Sequence, residues 1–318
     1  MRSPSDVGAI ARAASDVLER LRAKTPRVHC ITNSVAQNFT ANVLLALGAQ
    51  PSMTISAEEI GHFAGSAGAL LVNLGTFDRE RGAAIEIAVT AAQRAKRPWV
   101  LDPVLIDRSP PRAELARALI GKRPNVVRLN SAEFSALDGQ DVAPFAAQTG
   151  TVVALSGATD VIADGLRCAA ILNGDPLMAR VTAMGCAASA IVAACLAVED
   201  DAFMAACAGL LILGVAGEIA GEQAKGPGSF AAGILDALHG LDHAALTDRA
   251  RVSYGRSPSL CLARSCAARR ARFGWARPAD RRRCDSCSIA RQARHDARHD
   301  RGSEGDQGSA SQCAAADQ

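Results

Sequence analysis

Up to about Tyr254 the chain alternates short β-branched, apolar runs with longer Ala-rich segments of helical character. That alternation is the pattern of a mostly parallel sheet with helices on both faces, an α/β fold class. It predicts strands at Arg27–Ile31, Ala69–Asn73, Trp99–Leu101, Val126–Leu129, Thr151–Leu155, Asp160–Ala163 and Cys168–Leu172. Helices are predicted at Ser5–Ala23, Ala36–Leu47, Ala57–Ser66, Glu80–Ala95, Arg112–Ile120, Ser131–Leu137, Cys186–Val198, Asp201–Gln223 and Ser229–Leu238. Ser56 ahead of Ala57-Glu58-Glu59 is a capping-box signal, and Ser229 after Gly226-Pro227-Gly228 marks another helix start. Asp164-Gly165 supplies a hairpin turn, so the late part of the sheet is expected to be antiparallel. No internal repeat is visible.

Composition sharpens this picture in four ways. The 318 residues can hold one large domain or two small ones, and with 49% apolar but only 3% aromatic residues the core must be built from Ala, Val, Leu and Ile. Val181–Val198 and Ala202–Gly217 lack charge, but both are at or below bilayer length and rich in Ala, Gly and Cys. They read as helices buried in the domain, with a membrane hairpin as the minor alternative. The N-terminus has no continuous apolar segment of signal-peptide type. Five cysteines (Cys30, Cys168, Cys186, Cys195 and Cys207) are scattered through the body without paired spacing, as reduced thiols of a cytoplasmic protein would be.

Charge divides the chain. From Ser253 onward there are 13 Arg against 7 acidic residues, while the rest carries 22 basic against 25 acidic. The segment from Ser253 is crowded with Arg, Ser, Cys and Ala, contains no Lys and keeps no sustained period. A polyanion-binding arm is one reading. A metal knuckle is another, although Cys284, Cys287, His295 and His299 are spaced more tightly than in a zinc finger. The third, which we adopt, is an unstructured tail with the composition of GC-rich DNA read out of frame. The expected division is therefore a catalytic domain over residues 1–252 and a tail over 253–318.

The chain has no P-loop, no dinucleotide fingerprint, no nucleophile elbow and no HExxH. What it has is a set of polar residues at predicted strand ends, where ligands gather in open α/β sheets. Asp102-Pro103 follows one strand, and Asn130 with Glu133 follows another, with Arg128 just before it. Ser156-Gly157 follows a third. A carboxylate and an amide could order Mg²⁺ and its waters, and Arg128 could meet phosphate. The plainer reading of Asn130 and Glu133 is an N-cap with its capping-box partner. Val181-Thr182-Ala183-Met184-Gly185-Cys186 opens a long apolar helix whose N-terminus could stabilise phosphate and lower the Cys186 pKa. The plainer reading there is a tight turn into a buried helix with an inert thiol. Together the residues describe an anion-binding, Mg²⁺-compatible crevice suited to phosphoryl transfer, where positioning and electrostatics do most of the catalysis.

Several segments then resemble one family. Val28-His29-Cys30-Ile31-Thr32-Asn33 and Leu44-Leu45-Ala46-Leu47-Gly48-Ala49 look like the opening of the hydroxyethylthiazole kinase family. Asn73-Leu74-Gly75-Thr76, Val100-Leu101-Asp102-Pro103, Asn173-Gly174, Pro176-Leu177-Met178, Gly214-Val215-Ala216-Gly217-Glu218 and Gly226-Pro227-Gly228-Ser229-Phe230 match in order. The resemblance runs from about Val28 to Leu241. It implies a ribokinase-like three-layer fold, Mg²⁺ with ATP as co-substrate, a thiazole alcohol as acceptor, and a homotrimer with sites between subunits. It also implies residue roles: Met53 and Ala183 at the substrate, Arg128, Ser156 and Asn130 at ATP, Asp102 and Glu133 at metal and phosphate. Cys186 stands where related sugar kinases place an aspartate base.

Two departures flank the phosphate region. Ala183-Met184-Gly185-Cys186 replaces the family's Gly-Thr-Gly-Cys or Gly-Ala-Gly-Cys, and Val104-Leu105-Ile106-Asp107-Arg108 replaces its Gly-x-Gly-Ala-Thr. The expected activity is phosphorylation of 4-methyl-5-(2-hydroxyethyl)thiazole from ATP in thiamine biosynthesis, by a cytoplasmic enzyme with no membrane or specific nucleic-acid partner. The alternatives are another ribokinase-like kinase, acting on a pyrimidine alcohol or a sugar, and a non-catalytic ligand-binding relative.

Overall fold

Parity along each strand decides which helices it meets. In β1 (Arg27–Ile31), Val28 and Cys30 face one side of the sheet, while His29 and Ile31 face the other, and all four are fully buried. β3 (Ala69–Asn73) repeats this, with Ala69 and Leu71 in the larger core and Leu70 and Val72 beneath the opposite layer. Strands buried on both faces are near-continuous apolar runs, which is why these short segments stand out in the sequence.

The computed structural model describes residues 5–255. The remaining strands are β2 (Gln50–Ser52), β4 (Trp99–Asp102), β5 (Val126–Asn130), β6 (Val152–Ser156), β7 (Asp160–Ala163), β8 (Cys168–Ile171) and β9 (Val252–Gly255). They form one sheet in the order β2-β1-β3-β4-β5-β6-β7-β8-β9. β2 through β6 run parallel, and β7, β8 and β9 continue antiparallel. The β7–β8 hairpin turns at Gly165 (φ +91°), where the Asp164 carboxylate accepts the N–H groups of Leu166 and Arg167.

One layer holds α1 (Ser5–Lys24), α2 (Gln37–Leu47), α8 (Met184–Leu196), α9 (Ala202–Gln223), α10 (Pro227–Gly240) and α11 (His243–Arg249). The other holds α3 (Ile60–Ser66), α4 (Arg79–Arg94), α5 (Pro110–Gly121), α6 (Ser131–Ala136) and α7 (Val142–Thr149). α9 is long and apolar enough to cross a membrane, but 78% of its apolar window is buried inside the protein, as a core helix requires. Helices α8 and α9 pack through Ala, Gly and Cys, and a Cβ on Gly209 would lie 3.0 Å from Val192.

Four elements escape the sequence pattern: β2, β9, α7 and α11. β2 is a three-residue edge strand, too short for alternation to register. α7 carries Pro144 in its first turn, a position that needs no N–H partner. The Ser56 capping box does not form, because α3 begins later, at Ile60, and the Thr54 hydroxyl donates to the Glu59 carboxylate. α10 begins at Pro227 rather than Ser229, with the proline at its first position.

The expected division between residues 252 and 253 falls inside β9, which needs correction. Val252 and Ser253 are buried, β9 pairs along β8 from Val252↔Ile171 to Gly255↔Cys168, and Tyr254 meets the Phe203 ring at 6.2 Å. Arg251 forms an ion pair with Glu218 on α9. The tail from Arg256, with Cys284, Cys287, His295 and His299, lies outside the described residues.

Candidate active site

Register carries the polar residues to one edge of the sheet. Asn73 ends β3 opposite Asp102 at the end of β4, and Asn130 ends β5 opposite Ser156 at the end of β6. Because β7 runs back, its first residue, Asp160, stands at the same edge. Asn33 follows β1 by two residues, and Cys186 lies in the first turn of α8. The polar residues expected at the strand ends therefore stand in a continuous row.

Hydrogen bonds join most of that row. Asn33 Nδ2 donates to Cys186 Sγ (3.2 Å) and lies 3.2 Å from Asn73 Oδ1. Asn73 Nδ2 reaches Cys186 Sγ (3.3 Å) and Asp102 Oδ2 (2.8 Å). Ser189, one turn beyond Cys186 on α8, donates its hydroxyl to the same Asp102 oxygen at 2.9 Å. Gly75 makes the turn possible: a Cβ there would sit 2.7 Å from the Asn33 side chain and 2.9 Å from Asn73 Oδ1. Cys186 thus lies among two amides, with a carboxylate behind them.

Burial controls the charges. Asp102 is fully buried, and desolvation pushes its carboxyl up to about 6, against the pull of Arg128 and with a further push from Glu133. Asp160 rises to about 6 for the same main reason. Burial, followed by the Asp102 charge, pushes the Cys186 thiol up to about 11. The inert-thiol reading of this turn holds rather than the lowered pKa: the amides of Asn33 and Asn73 and the Arg128 charge do not offset burial and the Asp102 charge. Cys186 is a protonated thiol at neutral pH.

Arg128 Nε donates to Ser156 Oγ at 3.0 Å, and its guanidinium passes close to Gly185, where a Cβ would stand 2.7 Å from Nη1. A guanidinium and the free N–H groups that open α8 therefore converge, an arrangement that favours anionic oxygens. Glu133 and Asn130 form the full capping box of α6. Glu133 Oε2 accepts the Asn130 N–H at 2.9 Å, and Oε1 accepts the Leu105 N–H at 3.0 Å. Glu133 thereby ties α6 to the segment following Asp102-Pro103, where Leu105 holds φ +58°.

Of the substrate-side candidates, Ala183 caps α8 at φ +67°, a left-handed conformation that explains why glycine suits the position. Met184 turns into the core. Met53 follows β2 at the far end of the same edge, half-buried against the core. Sequence reasoning assigned no role to Asn33, Asn73, Ser189 or Asp160. The i, i+3 spacing of Cys186 and Ser189 was the available signal, since it places both on one helix face.

The donor set fits a hard cation modestly. Asp102 Oδ1 is buried without a partner, while its other oxygen and both Glu133 oxygens hold protein donors. No group of three or more His, Cys, Asp or Glu ligands gathers among the described residues. One open carboxylate oxygen with a second carboxylate nearby suits Mg²⁺, which keeps waters and takes ligands from substrate phosphates.

The model of the hydroxyethylthiazole kinase family matches residues 18–144 and 140–244. A hydroxyethylthiazole kinase from Granulibacter bethesdensis is 46% identical over 253 residues, covering 74% of this chain and 92% of that protein. The structure of a hydroxyethylthiazole kinase protein from Pyrococcus horikoshii superposes with a TM-score of 0.74 at 34% identity, covering 77% of this chain and 99% of that one. A ribokinase-like superfamily protein from Enterococcus faecalis, at 13% identity and a TM-score of 0.53 over 70% of this chain and 93% of its own, shares the fold.

Proposed function

This chain belongs to the hydroxyethylthiazole kinase family, and from that membership we propose that it transfers the γ-phosphoryl group of ATP to the hydroxyl of 4-methyl-5-(2-hydroxyethyl)thiazole. The observation that carries the reading is the convergence of Arg128 and the start of α8 beside the buried Asn33–Asn73–Cys186–Asp102 network.

Each residue then has a task. Arg128, steadied by Ser156, and the N–H groups opening α8 hold the phosphate oxygens and the charge that develops on the transferring group. Asn130 anchors the start of α6 beside them. The acceptor hydroxyl lies at Cys186, with Met53 and Ala183 bounding the thiazole. Its oxygen forms the new bond to phosphorus as the bond to the ADP oxygen breaks. A protonated thiol at Cys186 positions that hydroxyl rather than deprotonating it, and the hydroxyl proton passes late to an oxygen of the transferred phosphoryl group, which a loose transition state permits. Asp102 through its open Oδ1, with Glu133 behind it, would hold Mg²⁺, which when bound neutralises phosphate charge. The enzyme works in the cytoplasm as a homotrimer; the free buried thiols of Cys30 and Cys195 support the reducing compartment, and the family resemblance supports the trimer.

A coupled ADP-release assay over a panel of alcohols, with and without Mg²⁺, tests the proposal. ADP release should depend on the thiazole alcohol and on Mg²⁺. Preference for a pyrimidine alcohol or a sugar would move the activity elsewhere in the fold family, and no alcohol-dependent release would leave a binding protein.

A further inference from the structure

We propose that His29 is a positioning residue for the thiazole end of the site, because its ring grips the residues on both sides of Met53. His29 is fully buried in β1, opposite Ser52 in the β1–β2 register. Its Nδ1 lies 2.9 Å from Ser52 Oγ, and its Nε2 lies 3.0 Å from the Thr54 carbonyl oxygen. Between these two contacts stands Met53.

The chemistry of the partners assigns the proton. A carbonyl oxygen only accepts, so Nε2 carries the hydrogen, and Nδ1 is left to accept the Ser52 hydroxyl. Burial lowers the His29 pKa, which keeps the ring in this neutral, two-faced form. Phe63 on α3 supports the ring at 5.6 Å between centroids. Beyond it, the Thr54 hydroxyl donates to Glu59 at 2.5 Å and accepts the Ser56 N–H at 3.2 Å.

The grip matters because β2 is a three-residue edge strand with one neighbour, so backbone pairing alone holds this segment weakly. Without His29 the backbone of residues 52–54 loses its buried anchor, and Met53 its fixed place. The loss should fall on the thiazole, since Arg128 and Ser156 lie across the sheet.

The inference rests on Met53 touching the thiazole, and the experiment separates the two claims. Steady-state kinetics of Met53→Ala, His29→Ala, His29→Gln and Met53→Ala with His29→Ala would be measured against both substrates. His29→Ala should raise the thiazole KM about tenfold with the ATP KM unchanged, and the double variant should be little worse than either single one. His29→Gln, which keeps one donor and one acceptor, should recover part of the loss and carries the test if His29→Ala does not fold. Imidazole ¹⁵N signals of the whole protein should show the neutral Nε2–H tautomer. If Met53→Ala raises the thiazole KM while neither His29 variant does, or if the His29 variants raise both KM values equally, the proposal is overturned and the Met53 reading stands. If Met53→Ala leaves the thiazole KM unchanged, the Met53 reading fails and the role of His29 fails with it.

Discussion

Arg128 and Gly185 meet because residue 185 has no side chain: a Cβ there would stand 2.7 Å from a terminal guanidinium nitrogen. Gly185→Ala should therefore push Arg128 away from the opening of α8. We expect the ATP KM to rise about tenfold, or ~1.4 kcal/mol, with little change in the thiazole KM. Arg128→Ala should do the same, and the double variant should add little. Equal losses for both substrates would point to a structural ion-pairing role for Arg128 instead.

Cys186 should behave as a thiol, not a thiolate. With burial and Asp102 pushing it up to about 11, alkylation by iodoacetamide should be slow at pH 7 and quicken only in strongly alkaline solution. Cys186→Ala should lower kcat by less than the ~10²–10⁴-fold typical of losing a general base. Cys186→Asp should retain or raise turnover, and an inactive Cys186→Asp enzyme would overturn the placement of the acceptor hydroxyl beside this residue.

Asp102 sets stability against function. Its folded-state pKa is raised to about 6 from the usual 3.8, so the protonated carboxyl favours the fold at low pH and that benefit is lost as pH rises through about 6. Two pKa units correspond to roughly 3 kcal/mol. Asp102→Asn should abolish turnover yet raise the melting temperature at pH 8, with the gain vanishing near pH 4. In the unaltered enzyme, kcat/KM should fall below about pH 6 as the cation-binding oxygen is protonated.

Ala183 holds φ +67°, where a Cβ is strained. Ala183→Gly should stabilise the protein by about 0.5–1 kcal/mol, since relief of left-handed strain exceeds the added freedom of the unfolded chain. Chemical denaturation measures it, and a loss of stability would place the strain elsewhere.

Two truncations locate the end of the catalytic domain. Ending the chain at Gly255 should leave melting temperature and thiazole-dependent ADP release unchanged. Ending it at Arg251 removes β9, exposing β8 and the face of Phe203, and should lower the melting temperature markedly. Equal behaviour of the two would make β9 dispensable.

Most of the sheet and its long helices were legible in the sequence, because strands buried on both faces are continuous apolar runs and the helices between them are long. Arg27–Ile31, Ala69–Asn73 and Asp160–Ala163 coincide with the observed strands to the residue. The order of polar residues at strand ends was legible too, since a strand's end is a local event. Asp102, Asn130 and Ser156 needed only their place after an apolar run.

Tertiary structure decided what those residues are. The Cys186 and Asp102 pKa values rise through burial, with the Asp102 charge adding to Cys186 and the Glu133 charge to Asp102, and Cys186 and Asp102 lie 84 positions apart in the chain. Asn33, Asn73 and Ser189 gain their roles only when β1, β3 and α8 meet at one edge. β9 was unreadable for the same reason: four residues form a strand only because β8 supplies the partners. Local patterns encode local geometry, whereas desolvation and long-range hydrogen bonds exist only once distant segments have packed.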